Sequence, residues 1–147
     1  MSEMIQVFEF ARTGRLGFVT LGMSLDEVLR QMEPPDGMTD GACPIYAFRD
    51  VQLGFSDANV LWLIMVEPRG DLTLPSPIGS GGAFHTPKLS HVMAYMRKVN
   101  EDVEWCEPYV PGEEWLRVCR SGVNLSFDDD GTLQTAGLSD KRYLSEV

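Results

Sequence analysis

Val51-Gln-Leu-Gly-Phe-Ser-Asp-Ala-Asn-Val-Leu-Trp-Leu-Ile-Met-Val66 decides how this chain is read, because Val123-Asn-Leu-Ser-Phe-Asp-Asp-Asp-Gly-Thr-Leu-Gln-Thr135 repeats it. Val51, Leu53, Phe55 and Leu61 recur as Val123, Leu125, Phe127 and Leu133, each 72 residues on. Apolar side chains at every second position have the period of a strand with one buried face. Asp129-Asp130-Gly131 fits a three-residue hairpin loop, a type I turn closed by glycine in the left-handed conformation. Asn59 takes the place of Gly131, and Asn is the next most tolerant residue for positive φ. Unbroken alternation then sets Phe55 opposite Leu61, Leu53 opposite Leu63 and Val51 opposite Met65, all on one face. In the second hairpin it sets Phe127 opposite Leu133 and Leu125 opposite Thr135. A slip of one residue would turn either strand over.

The other faces differ. In the second hairpin that face reads Asn124, Ser126, Thr132 and Gln134, polar and expected to be wet. In the first it reads Gln52, Gly54, Val60, Trp62, Ile64 and Val66, mostly apolar. Either the strand is central and this chain buries both its faces, or a partner covers the second one.

Working outward, each hairpin follows a helix. Met4, Val7, Phe8 and Ala11 have helical spacing, with Ser2 as a possible cap and Gly14 as the stop. Leu16–Leu21 reads as a short extended link. Ser24-Leu-Asp-Glu27 is a capping box before Leu25, Val28, Leu29 and Met32, a helix that ends ahead of Pro34-Pro35. Residues 36–44 are rich in turn formers, and Ile45–Phe48 reads as a strand. Further on, Thr86-Pro87 predicts a cap and first turn for a helix with face Leu89, Val92, Met93, Met96 and Val99. Its face matches the earlier helix 64 residues back, against 72 for the hairpins, so the second helix-to-strand connection is longer. The extra length is assigned to Glu101–Glu114, which holds six acids (Glu101, Asp102, Glu104, Glu107, Glu113, Glu114) and no base. Trp115–Arg120 is the next strand.

The expected fold is therefore α+β: two helix–β-strand–β-hairpin repeats, with antiparallel sheet and the helices packed on one face. The expected organisation is a first unit over 1–74, a Pro/Gly/Ser linker over 75–85, a second unit over 86–140 and a tail over 141–147.

Composition narrows the function. The 147-residue chain is 44% hydrophobic and 23% charged, ordinary for a folded soluble protein. Its net charge of -10 argues against nucleic acid and against anionic membrane surfaces. No apolar run approaches the ~20 residues of a membrane helix. The start, Met-Ser-Glu-Met-Ile-Gln, lacks the features of a signal peptide, which makes a cytoplasmic location the expectation. Cys43, Cys106 and Cys119 are odd in number and lack CxxC spacing, so no disulfide framework is expected.

Thr13-Gly-Arg-Leu-Gly, Leu21-Gly-Met-Ser-Leu-Asp-Glu-Val28, Glu33-Pro-Pro-Asp36 and Val51-Gln-Leu-Gly-Phe55 together resemble a group of tandem-unit actinobacterial proteins. More distantly, the helix–proline–hairpin plan is similar to lipoproteins of the SmpA/OmlA type and to β-lactamase inhibitor protein, whose concave sheet grips an enzyme. The chain departs from the lipoproteins in having no lipobox cysteine, and Glu33 stands where such units commonly have glycine. The resemblance implies a binding module, one form of which is an immunity protein that blocks a toxin.

Catalytic and metal motifs do not assemble in the sequence. His85 and His91 are six apart, off the i, i+4 spacing of a helical metal pair. Asp128-Asp-Asp-Gly131 lacks the glutamate an EF-hand needs six residues past its glycine; residue 137 is Gly. Gly79-Ser-Gly-Gly82 lacks the GK[ST] ending of a phosphate loop. The expectation is a protein with no cofactor that binds another, basic protein as a monomer or weak homodimer. Trp62, Ile64, Trp105, Tyr109 and Trp115 are the expected anchors, and Glu104, Glu107, Glu113 and Glu114 the charges that meet it. A small-molecule or enzymatic site between the units, and a structural homodimer, are the alternatives.

Overall fold

The computed structural model describes residues 3–144. In chain order they form α1 (Glu3–Thr13), α2 (Leu25–Gln31), β1 (Gly37–Met38), β2 (Ile45–Phe48), β3 (Val51–Phe55), β4 (Leu61–Val66), α3 (Leu89–Lys98), β5 (Val103–Cys106), β6 (Trp115–Val118), β7 (Asn124–Phe127), β8 (Leu133–Ser139) and a 3-10 turn, η1 (Lys141–Tyr143). The strands make one eight-stranded antiparallel sheet in the order β1-β2-β3-β4-β8-β7-β6-β5. The protein is thus α+β. Ser2, expected to cap α1, and the last three residues of the expected tail lie outside the described residues.

Local signals explain the helices. Ser24 closes a full capping box with Glu27 ahead of α2. Gly14 ends α1 with φ +82°, its N–H donating to the Phe10 carbonyl at 2.7 Å. The third helix begins two residues later than Thr86-Pro87 predicts, with Lys88 at the cap. The reason is tertiary: Leu89 N–H donates to Gly131 O and Leu133 N–H to Pro87 O, which pins residues 87–89 as extended chain beside the second hairpin. Val7, Phe8, Phe10 and Ala11 of α1, Val28 of α2, and Val92 and Met96 of α3 all join one core with Leu53, Phe55, Leu61, Leu116 and Leu125. Each such large apolar side chain contributes ~1.5–3 kcal/mol by leaving water. All three helices therefore cover the same face of the sheet.

Both hairpin turns match the sequence reading, with Asn59 at φ 63° and Gly131 at φ +79°. The register beyond them does not. In the first hairpin Phe55 is opposite Leu61, but then Gly54 pairs with Leu63, Leu53 with Ile64, Gln52 with Met65 and Val51 with Val66. Trp62 is the extra residue of a β-bulge. The second hairpin bulges at the matching place: Phe127 pairs with Leu133, Ser126 with Thr135 and Leu125 with Ala136. Past each bulge the strand turns over. Ile64 and Val66 are fully buried in the core, and Leu63 and Met65 move to the opposite face.

The sheet also has two strands that turn composition and acidity concealed, the edge strands β1 and β5. Residues added to the second half are spread over a 10-residue α3 against a 7-residue α2, a 4-residue β5 against a 2-residue β1, and wider turns, rather than pooled in one acidic loop. Strands β4 and β8 join the halves, and Met65 pairs with Gly137, positions that are themselves 72 residues apart. The connection after β4 is packed: Leu72, Leu74 and Ile78 are in the core, and buried Glu3 accepts from Ser80 N–H at 3.2 Å.

Candidate functional site

Opposed residues in an antiparallel pair share a face, so the register maps the side of the sheet away from the helices. That side carries Ile45 and Ala47 of β2, Gln52 and Gly54 of β3, Leu63 and Met65 of β4, Thr135, Gly137 and Ser139 of β8, Asn124 and Ser126 of β7, Trp115 and Arg117 of β6, and Glu104 and Cys106 of β5. None of α1, α2 and α3 packs on it; their buried apolar residues all join the core on the other side.

At its centre, over the β4–β8 junction, lies a cleft of about 260 Å³. Trp62, Leu63, Met65, Tyr109, Trp115 and Gly137 wall it, and Lys141 is the one base lining it. Each wall has a local cause. Trp62 follows inward-facing Leu61 and lies on this side, the bulge brings Leu63 onto it as well, and the absence of a side chain at Gly54 makes room for both; a Cβ there would stand 3.1 Å from Leu63 Cβ and 3.3 Å from Trp62 Nε1. That indole N–H is buried with no acceptor. A buried unpaired donor costs ~1–3 kcal/mol, so the ring is held by packing against a polar penalty.

The roof is the loop over residues 107–114, between β5 and β6. Val110-Pro-Gly-Glu113 forms a turn with Gly112 at φ +88° and Glu113 N–H donating to Val110 O at 3.0 Å. Proline then glycine at the central positions is the type II signature. Tyr109 meets Trp115 edge to face, ring centroids 5.0 Å apart. Asn124, only 7% exposed, donates from Nδ2 to the Tyr109 hydroxyl at 3.2 Å and accepts from Arg117 Nε at 3.3 Å. Trp115 Nε1 donates to Glu113 at 3.0 Å. The loop is thereby tied down at its turn, at Tyr109 and at the Glu113 carboxylate. Glu107, Glu113 and Glu114 are all exposed on it, with no base among its residues.

Of the expected anchors, Trp62, Tyr109 and Trp115 converge in the cleft. Two do not. Ile64 sits in the core because the bulge reverses it. Trp105 pairs with buried Leu116, so it lies on the helix side of edge strand β5, 49% exposed and away from the cleft. Glu104 pairs with Arg117 on the open face. Leu63, Met65 and Gly137 went unassigned in the sequence because the bulge was unseen, and Asn124, expected to be wet, is buried by a tyrosine fifteen residues away.

Other features hold less chemistry. A larger cleft of about 550 Å³ beside the second hairpin is walled by polar groups including Glu67, Asp128 and Gln134. His91 Nδ1 accepts from Lys88 N–H at 3.2 Å and so serves the start of α3. Desolvation, then the nearby Glu104 and Asp102 carboxylates, pushes the Cys119 thiol up, away from the reactive thiolate. Among the described residues no group of three His, Cys, Asp or Glu could hold a metal ion, and no helix is long and apolar enough to cross a membrane. Comparison with protein families, with curated proteins and with solved structures finds no match for this chain.

Proposed function

We propose that this protein is a non-enzymatic binding module that grips a basic protein with the uncovered face of its sheet, in the manner of a cytoplasmic immunity protein or inhibitor that neutralises a toxin or enzyme. The observation that carries the reading is the convergence of Trp62, Tyr109 and Trp115 in one cleft on the face that no described helix covers. Aromatic side chains in a central desolvated pocket are what dominate interface energetics. The pinned 107–114 loop lowers the ordering cost of association. A net charge of -10 and three exposed carboxylates on that loop favour encounter with a basic surface.

The test is capture from a native extract with tagged protein at low and moderate salt, followed by titration of the retained partner. A basic protein is expected, released as salt rises. Trp62→Ala and Trp115→Ala should each weaken it by ~2 kcal/mol or more, about thirtyfold in Kd. Unchanged affinity in both variants would place the site elsewhere. One observation favours a second reading, a small apolar ligand: the cleft sits where the two halves of the chain meet. Thermal-shift screening with small aromatic compounds addresses it, and saturable stabilisation lost in Trp115→Ala would support it.

A further inference from the structure

Resting on the protein-binding reading, the cleft also indicates what the partner places in it. At about 260 Å³ it falls below the ~300–1,000 Å³ of sites for drug-sized ligands. It has room for roughly one large side chain. Its walls are rings and its floor is Leu63, Met65 and the bare backbone of Gly137. In the roof the Trp115 N–H donates to Glu113 and the Tyr109 hydroxyl accepts from Asn124. Trp62 Nε1 is buried out of reach. The polar groups left to a guest are few, the Tyr109 O–H, Thr135, Ser139 and Lys141, so most of a polar guest's lost water would go unreplaced. The acidic charge lies on the loop above, beyond that lining. Glu107, Glu113 and Glu114 are exposed on the loop, set against a single lining base, Lys141.

We propose that the cleft receives one large apolar side chain (aromatic, Leu or Met) from a basic segment of the partner, and that Lys or Arg residues near that guest meet Glu107, Glu113 and Glu114. The asymmetry of the sheet agrees with a guest entering at this point. The matching connection in the first half, residues 39–44, carries no aromatic residue and one acid, Asp40. It leaves Ile45 and Ala47 without a roof, and the cleft there is lined instead by Gly37, Met38 and Gln52.

Selection of phage-displayed random dodecapeptides against the 147-residue chain tests this. The selected peptides are then titrated against wild type, Trp62→Ala and Gly137→Val, each checked for folding by thermal melt. Gly137→Val fills the floor of the cleft and changes no residue of the loop, and its Cβ has only Ile64 O and Met65 Cγ within 4 Å. The expected consensus is a large apolar residue with Lys or Arg within about three positions. Replacing that residue by Ala, or using Gly137→Val, should weaken binding at least tenfold, and raising salt should weaken it further. Peptides lost in Trp62→Ala but indifferent to Gly137→Val and to loss of the apolar residue would overturn the guest assignment and leave the face as the binding surface. Peptides indifferent to Trp62→Ala as well, or no enrichment at all, would overturn both.

Discussion

Gly137→Val separates binding from folding, because the structure predicts opposite effects on the two. Gly137 lies inside β8, paired with Met65 and with Asn124. Its φ is not positive, and a Cβ there would meet only Ile64 O at 3.7 Å and Met65 Cγ at 4.0 Å, ordinary contact distances. A glycine inside a strand is worth ~0.5–1 kcal/mol less than alanine, and β-branched residues suit a pleated, half-buried surface better still. The variant should therefore gain about 1 kcal/mol, which for a domain of this size raises Tm by about 3 °C. The same valine stands in the cleft. A guest side chain buried there contributes ~1.5–3 kcal/mol, so its exclusion should weaken a partner about ten- to hundredfold. Calorimetry reads the first effect and isothermal titration the second. A folded variant with unchanged Kd would refute the cleft as the seat of the guest. A Tm lower by several degrees would refute the claim that the floor is open.

Asn124→Ala removes the tether of Tyr109; one net hydrogen bond is worth ~0.5–1.5 kcal/mol, and hydrogen exchange over residues 107–114 should accelerate while α1 stays protected. Gly79→Ala sets a Cβ 1.9 Å from Glu3 Oε2 and 2.8 Å from Leu74 Cβ; the overpacking should cost ~1–3 kcal/mol by urea denaturation, and adding Glu3→Ala should recover only part, since Leu74 still clashes. Burial pushes the Asp50 carboxyl up, against the Thr73 amide it accepts from and the nearby Arg69. With the folded value above the unfolded one, folding takes up protons between them, so the contribution of Asp50 to stability falls as pH rises through that window. Asp50→Asn should remove this component, and the wild-type-minus-variant difference in stability should decline from pH 3 to pH 7; a rise would contradict the assignment.

Helices and hairpin turns were legible because each rests on short-range rules: Ser24 and Glu27 in a capping box, Asn59 and Gly131 at positive φ. The β-bulge was not. Every residue from Leu61 to Val66 is apolar, so alternation alone cannot choose between Leu63 and Ile64 as the inward residue. The second hairpin held the missing signal. Unbroken pairing sets Thr135 against Leu125 inside the core, and the bulge substitutes Ala136. Edge strand β5 was hidden because Glu104 and exposed Trp105 give it no apolar period. The cleft was half legible. Its aromatic residues stood out by type, whereas Met65, Gly137 and Asn124 enter it only through strand order and a contact between β7 and a distant loop.

The measurement that bears most directly on the account is chemical-shift mapping of the 147-residue chain, in the presence of a captured partner or a selected peptide. The account predicts shifts at the indole N–H signals of Trp62 and Trp115 and at the amides of Leu63, Met65, Gly137 and residues 107–114, with α1, α2 and α3 unmoved. Shifts confined to the helices, with those indole signals unchanged, would contradict it.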